Sequence, residues 1–596
     1  MPPSFSVTAV GPGRPWVAPV LRPSPGFSPA VISSPDPLEL NMRVPTDLYR
    51  RYRLVHTWTG ICAGLALFIA FYAGALTMFK EPLARWAAPP RAVALTDLHD
   101  SEALIAQTLA ARPDAAREFT LDLRETEDVP ARLTWRKSRH DDAPWSAALD
   151  AAGQVQITQL HPVALAQWID VIHRTAAIPG TQELGEYVMG GVSLMYIVAL
   201  VSGLVLVLPS LVRDLFALRL GANLKRMWMD AHNLMGITSL PFHLLIGLSA
   251  VVFAFHDSIY DAQDAVVYDH QLKSLMQAGM PPPPRGATAA AAPMLPPAAL
   301  LARAQALSPQ FEPISMTYRN AGTAAASVRI IGRDSRYMLR QVGWLVVSPV
   351  SGEILNSEAF PGRQSAWDAP VAALFALHFG SFGGEPVRWG YFLLGLAGAF
   401  MFYSGNRLWI VSRRRQAVSA QGREPRSLRF MAAATHGVCF GGIAGISLSL
   451  VAAKCLHGQV DDLAAWYRGA YYVTFLAALG WAFARGGDQA ARGLARAAAG
   501  ATLAIPLASL TGYLWPATGW WVNESAASLG VDVMALLAAG ALWWIGQALA
   551  ADGRHSSPAL AGEEAAQADA QTTARPLPRA SRCTTEASTS TSAQVL

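Results

Sequence analysis

Charge is what this sequence has least of. Only 15% of its 596 residues are Asp, Glu, Lys or Arg, while 52% are hydrophobic; a soluble chain carries roughly 25% charge. A surface so poor in ions excludes a soluble enzyme and points to a polytopic membrane protein. Cysteine is also sparse. The four residues include no C-x-x-C or C-x-x-C-H spacing, which excludes a disulfide scaffold, a cysteine-based zinc module and covalently attached c-type haem. No G-x-G-x-x-G follows a strand-like run and no P-loop occurs, so neither a nicotinamide or flavin module nor an ATPase is encoded. The net charge of +5 is too weak to suggest nucleic acid as a partner.

What the chain does have is long apolar runs. Crossing a bilayer takes about 20 such residues, and eight stretches qualify: Leu54–Phe79, Tyr187–Leu208, Ala231–Phe255, Trp389–Val411, Phe430–Ala453, Leu463–Ala484, Ala497–Trp515 and Ser525–Ala551. Arg407 lies near the end of the fourth, where it can snorkel. Arg468 interrupts the sixth; Asp532, in the eighth, reads as a helix-start residue beside Asn523 and Glu524. Arg50, Arg51 and Arg53 precede the first run, and Arg213, Arg219, Lys225 and Arg226 separate the second from the third. Arg413 to Arg415, Arg423, Arg426 and Arg429 follow the fourth, Arg485, Arg492 and Arg496 follow the sixth, and Arg554 follows the eighth. With eight spans all these clusters fall on one side, so the positive-inside rule makes both termini cytoplasmic.

The expected layout follows. A Pro/Ser/Gly-rich stretch at 1–45 reads as a disordered tail, or as a start misassigned upstream of Met42, and not as a signal peptide. Span one lies in 46–80, an outer domain in 81–172, spans two and three in 173–256, a second outer domain in 257–376 and span four in 377–415. A four-helix extension fills 416–551, and an Ala/Ser/Thr-rich tail fills 552–596. Each outer segment opens with a helical stretch, Ser101–Ala111 or Pro297–Leu307. Strand-like pieces follow, Phe119–Leu123 and Ala131–Trp135 in one, Ser327–Ile331 and Tyr337–Gln341 in the other, and each segment closes on a Gly turn. These are two small α+β domains, with the four-proline stretch Met280–Pro297 as a linker.

The first four runs form one unit used twice. His56 opens the first and His232 the third, both as H-x-x-x-G. His173 and His378 stand where the chain returns to the membrane, and the following runs carry Ser202-Gly203 and Ser404-Gly405. Neutral imidazole is a strong axial ligand for haem iron, and polar groups inside a span default to function. Singly, these histidines read as interfacial anchors or loop residues; their duplication argues for ligands. The expectation is a cytoplasmic-side haem on His56 and His232 and an outer-side haem on His173 and His378. His243, about 16 Å from His232 on the same helix face, either replaces an outer ligand or bridges the two levels by hydrogen bonding. His256 points elsewhere, His436 is a packing or proton-handling residue, and His99, His140, His161 and His270 belong to the outer surface. Cys62, Cys439 and Cys455 read as small apolar packing residues.

The opening Tyr52-Arg53-Leu54-Val55-His56-Thr57-Trp58-Thr59-Gly60, the duplicated His and Ser-Gly spans and the two outer domains resemble the PepSY-associated transmembrane-helix proteins, the iron-regulated membrane proteins of the bacterial inner membrane. The resemblance covers about Arg50–Arg415. It implies PepSY-like periplasmic domains after helices 1 and 3 of an eight-helix membrane protein. It also implies two haem b groups and an activity similar to ferric-siderophore reductases, with electrons passed to a periplasmic ferric chelate. The donor is then the quinol pool or a cytoplasmic reductase, and membrane lipid surrounds the chain. Rival readings are a membrane-anchored PepSY regulator of a periplasmic protease or peptide, and a metal- or proton-coupled transporter.

Overall fold

The computed structural model describes residues 45–90, 94–126, 129–138, 143–211, 224–272, 290–365, 368–421, 424–523 and 525–573. Segment 1–44, residues 273–289 (which include the start of the proline-rich stretch), His140, Arg213, Arg219 and Arg423 lie outside them.

Apolar composition sets the helices. α1 (Thr46–Thr77), α2 (Lys80–Ala87), α3 (Ser101–Ala111), α4 (Leu165–Thr175) and α5 (Gln182–Val207) make the first repeat. The second comprises α6 (Leu224–Thr238), α7 (Leu240–Val266), α8 (Pro297–Leu307), α9 (Asp368–Phe379) and α10 (Gly384–Gln421). α11 (Arg426–Cys455), α12 (Leu463–Arg485), α13 (Gly487–Leu514) and α14 (Ala526–Thr573) form the extension. Among the described residues, α1, α5, α7, α11, α13 and Ala526–Leu549 of α14 are long and apolar enough to cross a membrane, so this is a multi-pass membrane protein. α10 and α12 occupy the fourth and sixth apolar runs and pack in the same bundle. α1 lies between α5 and α10, α5 also meets α7, and α10 meets α6 and α11.

Four sequence expectations need correction. The third span is not one helix. Pro241 lacks the N–H that would bond one turn back, so the helix stops at Thr238 and restarts at Leu240, with Ser239 at φ −101° between them. Arg407 does not snorkel; it is buried and donates to Asp488 at 2.7 Å. Asp532 is no helix-start residue: it lies inside α14 and accepts from Trp86 Nε1 at 2.9 Å and Ser509 Oγ at 3.0 Å. α14 itself runs on to Thr573, well beyond the expected start of a tail at 552.

The outer segments also differ from expectation, because they build one sheet instead of two separate domains. The strands are β1 (Glu118–Asp122), β2 (Leu133–Trp135), β3 (Trp145–Leu149), β4 (Val155–Gln159), β5 (Glu312–Arg319), β6 (Ser327–Arg333), β7 (Gly343–Val347) and β8 (Ile354–Asn356). Their order is β4-β3-β2-β1-β5-β6-β7-β8, antiparallel throughout. Each segment is a four-stranded meander, and β1 pairs with β5 at the centre, Thr120 opposite Thr317. Period-two alternation sends Phe119, Leu121, Met316, Tyr318, Val328, Ile330, Leu345 and Val347 to one face. There they bury Leu104 and Ile105 of α3 and Leu300 and Ala304 of α8. A lone meander would leave an unpaired edge at β1 or β5; pairing the halves removes both. Tyr337–Gln341, expected as a strand, is turn and irregular chain ahead of β7.

Asp334, buried at the end of β6, accepts from Arg336 Nη2 at 2.7 Å and from Ser308 Oγ at 2.6 Å. The Arg336 guanidinium holds this carboxyl well below the usual carboxylate range, with the Ser308 hydroxyl adding to the effect. A depressed native value adds stability above the unfolded carboxyl value of about 3.9, and that stability is lost as pH falls below it. Thermal melts from neutral to acid pH check this: Asp334→Asn is expected to lower the midpoint at neutral pH by about 4 °C and to flatten the acid-side loss.

Candidate functional site

Each repeat delivers one histidine from the helix that opens it and another from the short helix that follows its strands. His56 comes from α1 and His232 from α6, and their ring centres are 6.2 Å apart with planes at 69°. His173 ends α4 and His378 ends α9, 6.5 Å apart at 41°. The short helices stop where left-handed residues turn the chain back to the bundle: Ala176 and Ala177 after α4, Gly380 after α9. The four residues thus meet in the two pairs the repeat implied.

Each ring is oriented through Nδ1. His56 Nδ1 lies 2.8 Å from Ala199 O, and His232 Nδ1 lies 3.1 Å from Met401 O and 3.3 Å from Ser404 Oγ. His173 Nδ1 is 2.8 Å from Ala70 O, and His378 Nδ1 is 2.7 Å from Ser249 Oγ, whose hydroxyl also reaches Ile246 O. Among the described residues no protein group bonds to any of the four Nε2 atoms. Metal-ligating histidines usually have this arrangement, with one nitrogen anchored and the other free.

The duplicated Ser-Gly motif now has a reason. A Cβ on Gly203 would come within 2.9 Å of His56 Cε1, one on Gly405 within 3.2 Å of His232 Cε1, and one on Gly74 within 2.7 Å of His173 Cε1. Only a bare backbone lets α5, α10 and α1 approach close enough to hold these rings. The preceding serine turns its hydroxyl to the same carbonyl: Ser202 donates to Ala199 O and Ser404 to Met401 O.

His243 joins neither pair. Its ring is fully buried against Phe71, Phe242 and Tyr196, and neither nitrogen has a partner. Among the described residues it therefore does not bridge the levels by hydrogen bonding. His256 is exposed and paired with Asp257 at 3.1 Å. His99, His161 and His270 are exposed as expected; Cys439 is buried, but Cys62 faces outward.

Between the sheet and the helices lies a cavity of about 1430 Å³. His173, His378, Phe71 and Gly74 line it from the bundle, and Arg124, Arg333 and Asp334 line it from the sheet. Arg388 of α10 borders it, donating to Met78 O at 2.6 Å and pairing with Glu81 at 2.7 Å. The sequence reading missed this chamber, which exists only because the two meanders join. It also missed Ser249, for which a lone hydroxyl inside an apolar run was the available signal.

Residues 53–412 match the family described as PepSY-associated TM region. The chain belongs to that family. The PepSY-associated segment holds all four paired histidines, the sheet and most of the cavity lining, to which Ser525 and Ala527 of the extension also contribute. No curated protein matches the chain.

Each pair offers two imidazole nitrogens with no protein partner among the described residues. With a metal–nitrogen bond of about 2 Å and a ring radius of roughly 1.1 Å, two imidazoles on opposite sides of one ion have centres about 6 Å apart, as both pairs do. Gly203→Val, whose side chain meets His56, is expected to cost roughly 1–3 kcal/mol in detergent unfolding. Gly60→Ala, inside α1 with open space around its Cβ, is expected to raise stability by about 0.5–1 kcal/mol.

Proposed function

We propose that this protein is a b-type haem protein of the bacterial inner membrane that passes electrons across the bilayer to a periplasmic ferric chelate such as a ferric siderophore. The observation that carries the reading is the pairing itself: two imidazole pairs at ligand spacing, every Nδ1 anchored and every Nε2 open. His56 and His232 would hold one haem b, and His173 and His378 the other. When bound, such a group supplies one-electron Fe(III)/Fe(II) chemistry. The His173 anchor on α1, Ala70, lies about 14 residues past His56, roughly 21 Å along the axis. The pairs therefore lie at two depths, as an electron wire through a charge-excluding layer requires.

In this reading eight helices span the membrane, with α10 and α12 as spans four and six, and the positive-inside rule orients them. Arg50, Arg51 and Arg53 begin α1, Arg426 and Arg429 begin α11, and Arg485 ends α12, so these ends and both termini are cytoplasmic. The sheet is then periplasmic, and the cavity beside His173 and His378 admits the acceptor. Reduction weakens the hold of oxygen-rich chelators on iron, because divalent iron is softer and less charged. The donor is the quinol pool or a cytoplasmic reductase.

An optical spectrum of the purified protein, with haem counted per chain, tests the proposal. A Soret band and sharp α bands after dithionite, at two haems per chain, are expected. Colourless protein from haem-replete cells would turn the reading toward a membrane-anchored regulator. His56→Ala and His232→Ala are each expected to lose about half the haem, and full retention in both would sink that pairing.

A further inference from the structure

Beyond the family segment, α11 and α13 bring His436 and Asp488 against a second face of α10. Tyr403 and Arg407, one turn apart on that face, meet them. The His436 ring is fully buried and stacks on Phe440. Its Nδ1 lies 3.4 Å from Tyr403 Oη; its Nε2 lies 3.4 Å from Arg407 Nη1 and 3.8 Å from Asp488 Oδ1. Arg407 donates to Asp488 at 2.7 Å, and Arg414 donates to the other Asp488 oxygen and to Glu424 at 2.9 Å. Asp488 and Glu424 are about one-third exposed, so polar groups lead from water towards Tyr403 with one 3.8 Å step between Asp488 and His436 Nε2. On the α12 side, Gly437 next to His436 faces Leu479 and Ala482.

The charges balance only while His436 is neutral: two guanidiniums face two carboxylates. Nε2 sits between Arg407, which repels a proton there, and Asp488, which attracts one. A new negative charge nearby tips that balance toward protonation. The His56–His232 site adjoins the same stretch of α10: Tyr403 packs on Trp228, one turn ahead of His232, at 6.1 Å, and Met401 O, two residues before Tyr403, lies 3.1 Å from His232 Nδ1. In a low-dielectric interior one charge a few residues away is felt strongly.

We propose that His436 is a redox-linked proton acceptor serving the His56–His232 site, an inference that rests on the haem reading above. One electron from the cytoplasmic donor arrives at the site, and one proton from cytoplasmic water passes by Asp488 to His436 Nε2. The only bond made is that N–H. When the electron moves on to the sheet-side pair, the N–H breaks and the proton returns by the same path. Imidazolium then pairs with Asp488 and gives up its contact with Arg407.

Spectroelectrochemical titration of the full haem-loaded chain in nanodiscs between about pH 6 and 8 tests this. The potential of one of the two haems is expected to fall as pH rises, with a slope approaching about 59 mV per pH unit, the equivalent of a tenfold change for one electron. His436→Leu and His436→Gln should both flatten that slope at unchanged haem content, and Asp488→Asn should weaken it. A flat wild-type potential, or a slope that survives both His436 variants, overturns the inference and leaves the haem reading intact. A chain that takes up no haem overturns both.

Discussion

The four paired histidines must hold their imidazole rings inside an apolar bundle at fixed orientation. An unsatisfied polar group in hydrocarbon costs several kcal/mol, and a ring free to rotate has no fixed orientation. Both problems have one solution here. Each paired histidine rests Nδ1 on a neighbouring helix, through Ala199, Met401 and Ala70 carbonyls or the Ser249 hydroxyl. That contact satisfies one nitrogen and presents the other. Gly203, Gly405 and Gly74 follow from it, because a helix carrying a Cβ could not come near enough.

The sheet applies the same economy to the two halves of the repeat. Each segment alone would be a small meander with a bare edge. The β1–β5 seam, with Thr120 Oγ1 3.1 Å from Thr317 Oγ1 across it, merges them into one surface. That surface roofs the cavity over His173 and His378, and Asp334 both pins β6 to the end of α8 and lines the chamber. Symmetry thus places a shared space at the joint of two copies, as is common for binding sites at interfaces between repeats.

The extension grips the family segment at both ends. At the sheet end, Trp86 of α2 donates to Asp532 and lies under the Lys454 ammonium at 3.9 Å, while Lys454 reaches Ser509 at 2.9 Å. At the other end, Arg407 and Tyr403 meet Asp488 and His436. Both clusters bury charge, and buried charge is tolerated when paired and hydrogen-bonded. The sheet-end cluster fastens the floor of the cavity. The far one adjoins the His56–His232 site.

Membrane class, the repeat and the four duplicated histidines were legible in the chain, whereas which of them meet is decided by helix packing. Apolar run length, charge asymmetry and duplicated spacing are one-dimensional signals, and a bilayer imposes them along the sequence. The helices Ser101–Ala111 and Pro297–Leu307 were legible for the same reason. Long-range partners were not. The inward turn of Arg407 onto Asp488, the burial of Asp532 against Trp86 and the single eight-stranded sheet each join residues far apart in the chain. A local pattern records that a residue is charged or that a strand alternates, whereas only the packing of helices and sheets decides which partner neutralises or covers it.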